Sequence, residues 1–203
     1  RSTQYAGTGK SLVVSLSPQT DIPIDSNVGG YFGPLLKFSG FDALELQGKA
    51  DRDIILFIDG RKGLIRIEEA PRDPVDSHVL AEVLTHMYAE NEADLVNISV
   101  VSTGAAAEHS LIGMLNFSWY DTHRGCVRFK QAGRGGLGTV FRDKRIRALV
   151  CRGPRIEADL NHVADFETLA RTGIKSHKES REHDPPQCMM RRHGTAPNVG
   201  SRA

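Results

Sequence analysis

Two glycine clusters stand 105 residues apart in this chain, and each has the composition of an anion cradle. The first reads Gly29-Gly30-Tyr31-Phe32-Gly33, followed by Lys37, Ala43-Leu44 and Gly48. An offset of 105 carries Gly30, Gly33, Ala43, Leu44 and Gly48 onto Gly135, Gly138, Ala148, Leu149 and Gly153, and turns Lys37 into another cation, Arg142. Successive backbone N–H groups with no Cβ in the way wrap an anionic oxygen, and a helix N-terminus behind them adds to the attraction. Lys130 and Arg134 flank the second cluster, Gly133-Arg134-Gly135-Gly136-Leu137-Gly138, as cationic donors. Asn27, Gly29 and Gly30 are their counterparts in the first, with Lys10 close by if the strand folds back. The spacing predicts two related units facing one another and binding something with two related ends.

Other motifs carry less. Gly7-Thr8-Gly9-Lys10-Ser11 imitates the end of a phosphate-binding P-loop, but Gln4 stands where its first glycine belongs and Leu12-Val13-Val14 reads as strand rather than helix. Gly133 to Gly138 satisfies Gly-x-Gly-x-x-Gly, yet the segment after it is too short and charged for the crossover helix of a dinucleotide fold. His177, His183, Cys188 and His193 match no common zinc spacing. Cys126, Cys151 and Cys188 are odd in number and widely spaced, which argues against a disulfide framework.

The elements that must position the clusters are legible in outline. Ser11–Leu16 alternates as a strand, residues 21–30 read as an irregular loop, and Tyr31–Phe38 as a short helix. Ala43–Leu46, Ile54–Ile58 and Leu64–Ile67 read as strands, the last two joined by the turn Asp59-Gly60-Arg61-Lys62-Gly63. Asp76 or Ser77 caps the clearest helix, whose Val79, Leu80, Val83, Leu84 and Met87 form a core-packing face. Leu95–Val101, Leu111–Phe117 and Val127–Lys130 read as strands, then a helix around Thr139–Arg142, a strand over Arg147–Arg152 and a weak helix over Phe166–Thr172. The expected architecture is α+β, two pseudo-symmetric repeats of sheet plus short helices, with repeats of about 1–103 and 104–175 in one domain (1–175) and a polar tail over 176–203.

With a formal net charge of +1 and 6% aromatic residues, the chain lacks the basic surface and stacking platforms of a nucleic-acid binder. No apolar run approaches the roughly 20 residues that span a bilayer, and no signal-peptide core follows Arg1, so a cytoplasmic setting is expected.

Ser26-Asn27-Val28-Gly29-Gly30-Tyr31-Phe32-Gly33-Pro34-Leu35-Leu36-Lys37-Phe38-Ser39-Gly40-Phe41-Asp42-Ala43, continued by Gly48-Lys49-Ala50, resembles the signature of the N-terminal domain of aldehyde ferredoxin oxidoreductases. Ala132-Gly133-Arg134-Gly135-Gly136-Leu137-Gly138 is similar to that family's second signature, and Ser17-Pro18-Gln19-Thr20 and His193-Gly194-Thr195-Ala196 also fit. The resemblance implies a tungsten (sometimes molybdenum) enzyme that oxidises aldehydes to carboxylic acids and passes electrons to ferredoxin. It implies a first domain of two pseudo-symmetric halves holding two pterins, whose dithiolene sulfurs chelate the metal.

By that resemblance the cofactor-binding residues are Lys10, Asn27, Gly29, Lys130, Gln131 and Gly133. Lys10 and Lys130 stand where the family has arginines, which keeps the charge but loses the planar fork, and Gln131 replaces a small residue. No catalytic residue is assigned, and no cysteine matches a ligand of the [4Fe-4S] cluster, which the family carries in later domains together with its acid/base groups. Those domains and the family's opening segment are missing here, so the chain is expected to need the remainder of the enzyme, with a homodimer as a further expectation. The rival readings are an inactive truncated remnant and a non-enzymatic anion- or nucleic-acid-binding module.

Overall fold

The computed structural model describes residues 10–73 and 76–153, with Glu167, Arg171, Lys175 and Glu179 further along. The chain divides into two compact units. The second contains those last four residues, all helical and exposed, with Lys175 Nζ 3.8 Å from the Glu179 carboxylate one turn on. The rest of the expected 166–172 helix and, apart from Glu179, the 176–203 tail with its histidines lie outside the described residues.

The first unit is α+β, with two sheets. Ser11–Leu16 (β1) and Pro23–Val28 (β2) form an antiparallel ribbon. Six strands form the larger sheet: Ile54–Asp59 (β3), Leu64–Glu69 (β4), Ile98–Ser102 (β5), Leu115–Asp121 (β6), Cys126–Ala132 (β7) and Ile146–Arg152 (β8). Their order is β4-β3-β8-β5-β6-β7, with β3 and β8 parallel and every other neighbour antiparallel. Successive strand side chains alternate between faces, so a strand covered on both sides must be apolar throughout. In β3, Ile55 and Phe57 meet helix Ser77–Tyr88 (α2) through Leu80, Ala81 and Leu84, while Leu56 and Ile58 face the other layer. That second layer is helix Phe32–Phe38 (α1), helix Leu137–Asp143 (α3) and the inner face of the ribbon. Each fully buried leucine or phenylalanine contributes about 1.5–3 kcal/mol relative to exposure.

The repeat is visible in the coordinates. α1 and α3 coincide under the 105-residue offset, and each follows an antiparallel pair, β1–β2 or β6–β7. Gly30 and Gly135 both adopt left-handed backbone, at φ 98° and 79°. The copies diverge afterwards. Ala43–Leu46 is not a strand: it has no ladder partner among the described residues, and Leu44 and Leu46 pack half-buried on the core. Its counterpart β8 takes the central place between β3 and β5.

Several local expectations also change. Residues 21–30 contain β2, not an irregular loop; Asp25, Ser26 and Asn27 lack apolar alternation, but a backbone ladder does not require it. Leu12, Val14 and Leu16 point outward and Val13 inward. On α2, Leu80 and Leu84 are buried while Val79, Val83 and Met87 are exposed, because the sheet covers only one side of a helix whose apolar residues wrap further round. Asp76 is the cap, accepting from His78 N–H at 2.8 Å and Val79 N–H at 3.0 Å. Leu95–Val101 divides into a 3₁₀ turn (Glu92–Asn97) and β5, and β6 starts only at Leu115, because Gly113 N–H is drawn to Thr139 Oγ1 at 3.0 Å.

A buried ion pair closes the parallel β3–β8 pair. Arg152 Nη2 donates to Asp59 Oδ2 at 2.6 Å, where the two residues are in register, and Nη1 donates to Glu90 Oε1 at 2.8 Å. Burial alone pushes the Asp59 carboxyl up, but the Arg152 bond and charge, with the Arg61 N–H, outweigh it and hold it below its ordinary value of 3.8. A lowered folded-state pKa means the stabilisation is complete above the unfolded value and is lost as pH falls through the folded one. Asp59→Asn is therefore expected to cost about 3–5 kcal/mol at pH 7, by leaving Arg152 undercompensated. In urea unfolding followed by circular dichroism, the gap from the parent protein should shrink as pH falls below 3.8; a gap independent of pH would contradict the assignment.

Candidate functional site

The ribbon β1–β2 leads into the first glycine loop and packs against the second. Ser11 pairs with Val28, so Lys10, one residue before β1, stands at the ribbon end where Gly29 leaves β2. Lys10 and Asn27 are exposed there. A Cβ added to Gly29 or Gly30 would meet nothing within 4 Å, so this loop opens onto space that can admit a ligand.

The second loop lies along β2. Arg134 N–H points at Ser26 Oγ (3.5 Å), Arg134 Nε donates to the Asp25 carbonyl at 2.7 Å, and Arg134 Nη2 to Asp25 Oδ2 at 3.1 Å. Ile24 packs on Gly135, and Pro18, from the ribbon turn, on Gly136. Ser26 is three residues from Gly29, which places the two loops about 10 Å apart at roughly 3.3 Å of rise per residue. The same Asp25 Oδ2 accepts from Asn27 Nδ2 at 3.3 Å. One carboxylate thus touches a side chain from each motif.

The expected residues gather unevenly. Lys10, Asn27 and Gly29 share one end of the ribbon, and Gly133 immediately precedes Arg134 on the flank of β2. Lys130 projects from the ribbon-facing side of β7, opposite Phe117, with Nζ 5.8 Å from the Trp119 ring centroid. Gln131, its neighbour in the strand, projects from the other face, opposite Asn116, which is bonded to Ser77 at the start of α2. The Gln131 side chain is therefore separated from Lys130 by the sheet, and only its main chain borders the second loop. Asp25 was not marked by its sequence, where it sat in an apparent loop; the three polar residues Asp25-Ser26-Asn27, separated from the glycines by Val28 alone, were the available signal.

The donor set consists of main-chain amides, one carboxamide and the cations Lys10, Lys130 and Arg134, which suits a phosphate-bearing ligand. Among the described residues no group of three or more His, Cys, Asp or Glu could hold a metal ion. Cys151 is buried and its thiol is pushed up to about 12 by desolvation, which leaves it protonated and unreactive. Ser11 begins a strand rather than a helix, so the P-loop imitation has no structural counterpart. No described helix is long and apolar enough to cross a membrane.

The family model described as the N-terminal domain of aldehyde ferredoxin oxidoreductase matches residues 1–153. A tungsten-containing aldehyde ferredoxin oxidoreductase of Pyrococcus horikoshii is 32% identical over 147 residues, covering 71% of this chain and 22% of the relative. The enzyme of that description from Pyrococcus furiosus is 31% identical over 151 residues, covering 72% of this chain and 22% of the relative. The chain thus spans about a fifth of the length of these relatives. Among solved structures, the active-site complex BamBC of benzoyl-coenzyme A reductase, in complex with 1,5-dienoyl-CoA, shares the fold. Its TM-score is 0.69 at 23% identity, over 93% of this chain and 26% of the other.

The two loops respond differently to added bulk. Gly136 has φ 68°, and a Cβ there would run into the Leu111 carbonyl oxygen and the Pro18 ring. Gly30 has φ 98° but open space around it. Thermal unfolding is expected to show Gly30→Ala destabilised by about 1–2 kcal/mol from backbone conformation alone. Gly136→Ala should add about 1–3 kcal/mol of overpacking to that cost. Equal losses would mean that the second loop is not pressed against the ribbon turn.

Proposed function

The chain belongs to the aldehyde ferredoxin oxidoreductase family through its N-terminal domain, and from that premise we propose that it is the cofactor-gripping part of a tungsten bis-pterin oxidoreductase that oxidises aldehydes to carboxylic acids. The observation that carries this reading is the pairing of two repeat-related glycine loops along one ribbon, bridged through Asp25. Two similar ligands around one metal call for two similar loops at short separation.

Lys10, Asn27 and the Gly29 amide hold one pterin; Lys130, the Gln131 main chain and Gly133 hold the other. The lysines bind phosphate as point charges rather than through a bidentate fork. When bound, the pterin-chelated tungsten (or molybdenum) supplies two-electron redox chemistry at the aldehyde carbon. This chain's own contribution is to fix the pterins, neutralise their phosphates and leave the metal to the pterin sulfurs. Proton transfer and the [4Fe-4S] cluster belong to the remainder of the enzyme, with ferredoxin as electron acceptor, and the setting is cytoplasmic. The boundaries at 1–175 and 176–203, and a homodimer, are part of this same reading.

The test is cofactor content. The chain, joined to the polypeptide that completes the enzyme and produced in a tungstate-fed host, is expected to retain tungsten by plasma mass spectrometry and to release pterin fluorescence after oxidative denaturation. Lys10→Ala removes a charge-assisted bond of about 1.5–3 kcal/mol and should lower pterin retention roughly tenfold or more. Lys10→Arg should retain at least as much pterin as the parent. Full retention by Lys10→Ala would remove Lys10 from the site.

A further inference from the structure

We propose that the outer edge of β4 is an interface at which a second copy of this chain adds its own β4, antiparallel and in one register, across a two-fold axis at Ile67. The cofactor reading plays no part in this; only the homodimer named with it gains a surface. β4 ends the six-stranded sheet, and among the described residues its far side has no ladder partner. Ala70 N–H donates at 2.9 Å to the carbonyl of Asp53, which stands opposite it where the β3–β4 register is continued by one residue. In an antiparallel ladder, residues bonded directly across alternate with residues whose main chain points the other way. Glu68, Arg66 and Leu64 therefore turn their N–H and C=O groups toward β3, and Ile65, Ile67 and Glu69 turn theirs outward. Native sheets usually blunt such an edge. On β7, the opposite edge, Val127 N–H donates to the Glu82 carboxylate at 2.9 Å. Nothing comparable caps the outward groups of β4 among the described residues.

The side chains of β4 select both the partner and the register. Residues directly opposite share a face, so a two-fold axis normal to the sheet falls on a residue of β4 rather than between two. Centred on Ile67, the register sets Ile67 against the partner's Ile67, and Arg66 against the partner's Glu68 twice by symmetry. Ile67 is 69% exposed and Ile65 43%, so the apolar contact is open to a partner. Ile67 exchanges both main-chain bonds with its copy, and Ile65 does so with the partner's Glu69, which uses every outward group of the strand. Arg66 and the partner's Glu68 then form a pair without main-chain bonds, the kind whose side chains stand closer. Both charges are already held in place. Arg66 Nε lies 3.0 Å from Glu68 Oε1, its guanidinium 4.9 Å from the Phe57 ring centroid, and the Tyr88 hydroxyl donates to Glu68 at 2.6 Å. The neighbouring registers fail on charge. Centring on Arg66 or on Glu68 sets that residue against its own copy, and like charges directly opposite destabilise a strand pair. One short strand makes a small interface, so the dimer is reversible and depends on concentration.

Sedimentation velocity of the full chain over a dilution series reads the association directly. The parent is expected to pass from monomer to dimer as concentration rises. Ile67→Lys places two like charges on the axis and should weaken association about tenfold or more. Its melting curve by circular dichroism should match the parent's, since the site is exposed. Arg66→Glu and Glu68→Arg should each lose self-association, because each variant opposes like charges in its own dimer. A one-to-one mixture of those two variants should associate as the parent does, since every opposed pair is then again opposite in sign. A parent that stays monomeric at every concentration overturns the proposal, as does a dimer indifferent to Ile67→Lys or a mixture that stays monomeric. None of these outcomes bears on tungsten or pterin retention, so the function reading is tested separately.

Discussion

The contact between β2 and the second glycine loop turns two copies of a motif into one surface. Arg134 holds β2 through the Asp25 carbonyl and carboxylate, and Ile24 and Pro18 press on Gly135 and Gly136. Each exposed hydrogen bond is individually modest, and a surface ion pair is worth at most about 1 kcal/mol. Their effect comes from combination with close packing, because glycine at 135 and 136 lets the ribbon approach nearer than any larger residue would allow. Without that approach, Asn27 and Gly133 would belong to two unrelated loops.

The six-stranded sheet supplies the rigid frame beneath this contact. β8 and β5 lie at its middle with β3 next to β8, and their residues are buried, so the helices that begin at the two glycine loops rest on the same apolar floor. Arg147 is an extra residue in the β3–β8 ladder, inserted between the pairs Ile54–Ile146 and Ile55–Ala148. Its guanidinium reaches the carbonyls of Pro71 and Arg72, so the bulge is anchored rather than loose. Charged groups cluster at the sheet's ends, where Arg142 joins Asp53 and Glu108, and Arg152 joins Asp59 and Glu90.

Much of this was legible in the sequence because it depended on local chemistry. Glycine spacing located α1 and α3, the Asp59-Gly60 turn located the β3–β4 hairpin, and Asp76 capped α2. What was hidden depended on partners distant in the chain. β2 was disguised by its polar residues, since a ladder to β1 needs only main chain. Ala43–Leu46 has the composition of a strand, but its slot belongs to β8. The outward turn of Leu12 and Val14 ran against the usual rule that the apolar side of an alternating strand faces the core. Period-two alternation fixes which residues share a face, and not which face is buried. Lys130 and Gln131 illustrate the same point within the site, as adjacent residues on opposite sides of one strand.

In the proposed function both loops serve one shared ligand assembly. Its most direct test is the ratio of pterin to tungsten in the loaded enzyme, measured on one sample by fluorescence and plasma mass spectrometry. Two pterins per tungsten, each in contact with one glycine loop, is the predicted result. One pterin per tungsten, or metal bound without pterin, would contradict it.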